Sequence, residues 1–311
     1  SSVPTAEAAS SSTAPTWGRR PPPTKRTVTI APLQFVDDGA FAFIDGKTGA
    51  ALTLDEVLVR LRHTRAVMVG EQHDQPAHHE LQRRVVQWLG SDGPGLVVGM
   101  EMLSWEKQRA LDAFNAGSID VDGLGAAVDW QKTWGFPLAL YAPIFVTGHD
   151  VGARFVALNA PKELVRAVRT QGLQALRPVE QELLPELDLD DELHRAWFEG
   201  VFSSAGHPLS ASDLDGFYRA QVVWDEAMAD RAAHALLVEK ARQVVVVAGA
   251  GHVAAGRGVP QRLERRLKER VLTIVTLTVS PERAVDELEA AVASDEADIL
   301  VVPRFEVEID I

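Results

Sequence analysis

Apolar positions fall in short unbroken runs, separated by stretches in which they recur with helical spacing. The runs are AVMVG at 66–70, LVVG at 96–99, RFVALNA at 154–160, QVVVVAGAGH at 243–252 and VLTIVTLTV at 271–279. Between them, Pro76–Leu89 has a helical pattern, further helices begin near Pro161 and Pro260, and Ser280-Pro281 is a start signal for another. Runs rich in β-branched residues with no polar alternation are strands buried on both faces. The pattern therefore predicts an α/β fold with a mainly parallel central sheet flanked by helices. Upstream, LQFVDD and AFAFID flank the turn at Asp38-Gly39 and read as a hairpin, and Thr53-Leu54-Asp55-Glu56 reads as a capping box opening a helix through Leu61. Two long stretches, about 104–150 and 173–240, are helical without a strand signal and hold most of the tryptophans. They read as insertions covering the strand ends, since no Gly/Ser/Pro linker sets them apart.

The termini differ. Residues 1–26 are rich in Ser, Ala, Thr and Pro, the composition of a disordered tether. Residues 27–285 then form a single domain and 286–311 a C-terminal extension, whose ILVVPRFEVEIDI reads as an edge strand or the remnant of a further module. The sequence starts at Ser1 without Met, which reads as a processed or trimmed chain whose targeting segment, if it had one, is absent; a cut boundary in a cytosolic protein is the second reading.

Composition narrows the chemistry. With 31 Lys+Arg against 44 Asp+Glu the net charge is −13, which gives no electrostatic reason to hold a phosphate backbone, so nucleic acid is not an expected partner. There is no cysteine, so a metal would have to be held by His, Asp, Glu or Tyr.

Three of the apolar runs end in groups that can do chemistry. VMVG leads into Glu71-Gln72-His73-Asp74, with His78 and His79 following; LVVG leads into Met100-Glu101-Met102; VVVVA leads into Gly249-Ala250-Gly251-His252. Ligands of open parallel sheets sit beyond the carboxyl ends of the strands. A single His after a strand is more often a hydrogen-bonded loop residue than a ligand. Two Gly-x-x-His motifs plus Glu101 form a stronger set, and imidazole with carboxylate is a ligand set for zinc, manganese or iron. In the helix around 213–236, Tyr218, Gln221, Asp225 and Met228 share one face, with Phe217 and Trp224 beside them. Read alone, each has an ordinary structural role: Gln221 and Asp225 as capping or pairing groups, Met228 with Met100 and Met102 as core filler. Trp105, Trp130 and Trp134 read as core aromatics; His63, His194 and His234 lie in helical stretches without a ligand-spaced partner.

At these residues the chain resembles a known family. GEQHD at 70–74, HHELQ at 78–82, GMEM at 99–102, LNAP at 158–161, AQVVWDEAMA at 220–229 and GAGHV at 249–253 resemble the ChaN-like haem-binding lipoproteins, in a superfamily with the Tiki and TraB metallopeptidases and the erythromycin esterases. The likeness runs from about residue 60 to 270. It implies a ChaN-like α/β domain and haem bound in iron acquisition. It also implies a periplasmic or outer-membrane-anchored lipoprotein, and it admits a homodimer sharing the ligand and an outer-membrane haem receptor as partners. Superfamily enzymes use the two Gly-x-x-His motifs and a Glu for a divalent ion; carried over, those positions are His73, His252, Glu71 and Glu101.

Haem asks for an axial ligand, cations or imidazoles for its propionates, and apolar walls. Of the two tyrosines, Tyr141 and Tyr218, the latter lies on the polar-striped helix and is the preferred axial ligand, with His149 and His207 as rivals. Gln221, Asp225 and Met228 would sit against the cofactor. The favoured reading is a haem-binding protein without turnover. The alternative is a metal-dependent hydrolase of Tiki or esterase type, with Mn, Zn or Fe on His73, His252 and a carboxylate, and Glu71 or Glu101 as general base. A third reading is an envelope protein whose crevice has lost both activities.

Overall fold

The computed structural model describes residues 19–23, 27–204 and 210–304. Its strands are β1 (Phe35–Val36), β2 (Phe41–Asp45), β3 (Ala51–Leu52), β4 (Ala66–Glu71), β5 (Leu96–Ser104), β6 (Arg154–Asn159), β7 (Gln243–Gly249), β8 (Leu272–Thr276) and β9 (Ile299–Pro303). They form one sheet in the order β1-β2-β9-β8-β4-β7-β5-β6, with β3 also on β2. From β9 to β6 the strands are parallel; β1, β2 and β3 join as antiparallel neighbours. The α/β fold with a mainly parallel sheet is thus the observed one.

The buried runs divide residue by residue between the two faces, as a period of two requires. Val67, Val69, Val98, Met100, Val245 and Val247 enter one core cluster, and Ala66, Met68, Val97, Val244, Val246 and Ala248 the other. The first core lies under helices Pro76–Ser91 and Leu138–Asp150, the second under Ala211–Leu237 and Val259–Leu267. The capping box is present: Thr53 accepts from the Glu56 amide, and the Glu56 carboxylate accepts from the Thr53 amide, opening helix Leu54–Arg62.

Two boundaries differ from the sequence reading. The C-terminal strand is neither an edge nor a separate module: β9 lies between β2 and β8, with all of Ile299–Val302 buried, because its apolar side chains complete both cores. β5 runs five residues beyond Gly99, with a register shift between Met100 and Ser104 against β6, and this irregular stretch carries Glu101. Among the described residues no helix is long and apolar enough to cross a membrane.

Candidate functional site

β4, β7 and β5 are adjacent, although β4 and β5 are successive in the chain, so the strand order turns at this point and leaves a crevice at the carboxyl ends. β4 stops at Glu71, which pairs in register with Gly249 at the end of β7. The short helix Ala250–Val253 follows and carries His252. His73, Glu101 and His252 all line one cleft of about 590 Å³. Three segments distant in sequence therefore bring their imidazoles and acid to one place.

Glu71 is the centre of the first group. Its Oε1 accepts from His73 Nδ1 at 2.8 Å and from the Tyr141 hydroxyl at 2.9 Å, while His79 Nδ1 stands 2.6 Å from Oε2. Burial opposes ionisation of Glu71, but the His73 and His79 partners outweigh it and hold the carboxyl below its ordinary range. Gln82 donates to the Val69 carbonyl, which turns its Oε1 toward His79 Nδ1. Tyr141 accepts from Trp134 Nε1 at 3.0 Å, and burial together with the Glu71 charge pushes its phenol upward. His78 takes the Gln72 amide on Nδ1 and meets Thr278 through Nε2; burial lowers it to about 4, so it is a neutral splint for the loop after β4.

Glu101 is the centre of the second group. Its Oε2 accepts from the Gly249 amide at 2.5 Å and its Oε1 lies 3.3 Å from His252 Nε2. His252 Nδ1 lies 2.7 Å from Asp225 Oδ1. Against the opposing effect of burial, Glu101 and Asp225 raise His252 to about 10, so it stands as an imidazolium between two carboxylates. Its Nδ1 therefore donates to Asp225, and the Gln221 amide, 3.0 Å away, bonds the same carboxylate at 3.2 Å rather than the ring. Behind Asp225, His194 is fully buried, with Nε2 at 3.5 Å from the carboxylate and Nδ1 at 3.2 Å from Arg262. Burial lowers it to about 4. The sequence reading gave His194 no partner; its partner comes from another helix, which spacing along one helix does not show.

Because the His252 pKa lies above its ordinary 6.5, this group's contribution to stability is complete below pH 6.5 and is lost as pH rises through about 10. Denaturation midpoints are expected to fall between pH 6.5 and 10 in the wild type and less steeply in Asp225→Asn. Parallel profiles for the two proteins would remove the imidazolium from the account.

The groups meet across Gly249. A β-carbon there would come within 2.7 Å of His73 Cε1 and 3.6 Å of Glu101 Oε2, so this strand end has to be bare for the two side chains to face each other. His73 is engaged through Nδ1 only; among the described residues Nε2 has no hydrogen-bond partner. Its ring meets Trp134 edge-on at 4.8 Å and Phe136 at 5.1 Å. Trp224 and Met102 extend the apolar lining, and Lys107, Lys132 and Lys162 add cations to the same cleft. Sequence reasoning missed these lysines and Phe136, and left Trp134 in the core; they lie on separate helices and loops and form no motif.

The remaining predicted residues go elsewhere. Tyr218 is buried among Phe198, His194 and Val222, its hydroxyl donating to the Asp191 carbonyl at 3.2 Å, and it does not line the cleft. Met228 is wholly buried in the second core. Gln221 and Asp225 act behind His252 rather than in the lining. His149 is exposed beside Phe114 in a separate hollow, and His207 lies outside the described residues. The metal-ligand set is also revised. Glu71 is taken up by His73, His79 and Tyr141, and Glu101 by His252 and the Gly249 amide. Among the described residues no group of three or more His, Asp or Glu side chains could hold a metal ion.

No match was found among curated proteins. Among solved structures, the chain is similar to ChaN of Campylobacter jejuni, a structure described by its cofacial haem binding. The identity is 18% over 88% of this chain and 100% of that one, with a TM-score of 0.67. It is more distantly similar to a mutant of the erythromycin esterase EreC in its open conformation, at 11% identity over 83% of this chain and 95% of that one, with a TM-score of 0.46. The family described as haem-binding uptake, Tiki superfamily, ChaN, matches residues 57–263, the span that holds β4, β5, β7 and every residue of the two carboxylate groups, and the chain belongs to this family.

Proposed function

We propose that the protein binds haem in the cleft at the ends of β4, β5 and β7, where His73 would hold its iron, and serves as a carrier in haem or iron acquisition at the cell envelope. The observation that carries this reading is His73: a carboxylate fixes its Nδ1, and its other nitrogen is left in a cleft with aromatic sides. Ligating imidazoles are held in this way by an acid on the far nitrogen. The residues fit the group. Trp134, Phe136 and Trp224 supply flat apolar surface, and Lys107, Lys132 and Lys162, interleaved with Glu106, Asp129 and Glu163, supply cations for propionates. The volume lies within the roughly 300–1,000 Å³ usual for cofactor and ligand sites.

His252 is unsuited to ligation, since both its nitrogens face carboxylates. The hydrolase reading needs a metal held by at least three donors, and the described residues offer no such group. Periplasmic or outer-membrane-anchored location, an outer-membrane receptor as partner and a homodimer with haems face to face are part of the proposal. The uptake named in the family description motivates the acquisition role, and the cofacial haem of the Campylobacter jejuni relative motivates the dimer.

Titrating the full chain with haemin is expected to give a saturable Soret band at a fixed haem-to-protein ratio. A featureless, non-saturating spectrum would sink the carrier reading.

A further inference from the structure

A second built site lies away from the cleft, where residues 19–23 cross the helix Val259–Leu267. Arg20 and Pro21 are held there through backbone and side chain together. Arg257 donates to the Arg20 carbonyl at 3.0 Å and to the Pro21 carbonyl at 2.9 Å, and the Arg20 amide donates to Gln261 Oε1 at 3.1 Å. The Arg20 guanidinium donates to Glu264 at 2.9 Å, and Arg19 is bidentate to Asp188 at the rim.

The receiving side is preorganised. Arg257, Gln261 and Glu264 are all buried, at 5%, 4% and 1% exposure. Gln261 donates to Asp191 and to the Arg257 carbonyl, which turns its oxygen toward the incoming amide. The floor is Gly256, at φ +63°, where a β-carbon would fall 2.2 Å from the Arg20 guanidinium. A flat cation can lie there only because the position is bare.

Beyond Arg20 the occupant is open to solvent. Pro21, Pro22 and Pro23 are exposed, and beside them a cavity of about 860 Å³ remains open, with Trp197 and Leu193 in its wall. Prolines have no N–H, so Pro21–Pro23 leave no unpaired backbone donor when they lie on the surface, and an extended proline run costs little entropy to order. Grooves that read extended proline-rich strands use this combination of carbonyl-directed donors, an aromatic wall and a charge pocket.

We propose that this groove is a recognition site for an extended Arg-Pro strand, and that the protein's own 19–23 segment is its resident, exchangeable occupant. The site fixes where the sequence before Arg19 joins the body of the protein. Emptying it in the full chain by Arg20→Ala makes it available to a fluorescent synthetic peptide of residues 17–26. That peptide is expected to bind at least about tenfold more tightly than the same peptide with alanine at the position of Arg20, the scale of one lost charge-assisted hydrogen bond. The wild-type chain is expected to bind the peptide more weakly than Arg20→Ala does, because its own strap competes. Equal affinity of the two peptides, or of the two proteins for the peptide, overturns the proposal, as does absence of binding.

Discussion

Replacing His73 by alanine is expected to weaken haemin binding by about a hundredfold and to alter the Soret envelope, whereas Tyr218→Phe leaves both unchanged. Loss of the residue that orients a ligand typically costs about ten- to a hundredfold, and loss of the ligand itself at least as much. Glu71→Gln is therefore expected to fall between His73→Ala and wild type. His73 is raised above its ordinary range: burial opposes the imidazolium, but the Glu71 hydrogen bond and the Glu101 charge prevail. Ligation needs the neutral ring, so Nε2 must give up its proton, and haemin affinity is expected to rise with pH through the imidazole's raised pKa. Titrations of the three variants at two pH values check this, with circular dichroism showing that each is folded. A silent His73→Ala beside a disrupted Tyr218→Phe would reverse the axial assignment.

The contrast between His73 and Tyr218 shows what a sequence can and cannot carry. Strand ends are legible because an apolar run buried on both faces must stop before a charged group. Glu71, Glu101 and His252 were therefore found from the sequence, and the parallel sheet put them at one rim. The long helix was read by its face. Tyr218 and Asp225 do share a face, seven residues apart, but at 1.5 Å per residue they lie about 10 Å apart along the axis. Asp225 reaches His252, while Tyr218 lies on the far side of His194, whose ring is 5.3 Å from the tyrosine and 3.5 Å from the carboxylate. Periodicity gives the angle around a helix and says nothing of the depth at which a neighbouring element meets it. The lysines of the cleft were invisible for a related reason. Each comes from a different segment, and only the packed fold brings them to a common cleft. β9 was misread because an apolar strand at a chain end has the same pattern whether its neighbours are one strand or two.

The depth at which Asp225 is held depends on the next residue. Glu226 is fully buried and faces three arginines of the helix Val259–Leu267. Arg265 lies 2.8 Å from Oε1, Arg266 lies 2.7 Å from Oε2, and Arg262 Nε lies 3.2 Å from Oε1. The Arg262 contact is close but off the donor's line, so that Nε makes no hydrogen bond, and charge rather than alignment holds it. Arg262 is itself buried, with its remaining donors on the Arg257 and Gly258 carbonyls and on His194. Neutralising Glu226 would leave this cation in the protein interior without its counter-charge, and removing one partner of a buried pair costs about 3–5 kcal/mol. Glu226→Gln is therefore expected to lower stability by about that amount in chemical denaturation. Glu180→Gln, whose partner Arg177 lies in solvent, is expected to leave the midpoint where it is. Since Glu226 fastens the helix that carries Gln221 and Asp225, haemin binding by folded Glu226→Gln should change little at low temperature and fail early on heating. A midpoint within error of wild type would show that the arginines are solvated well enough to stand without it, and that the anchor does not set the position of Asp225.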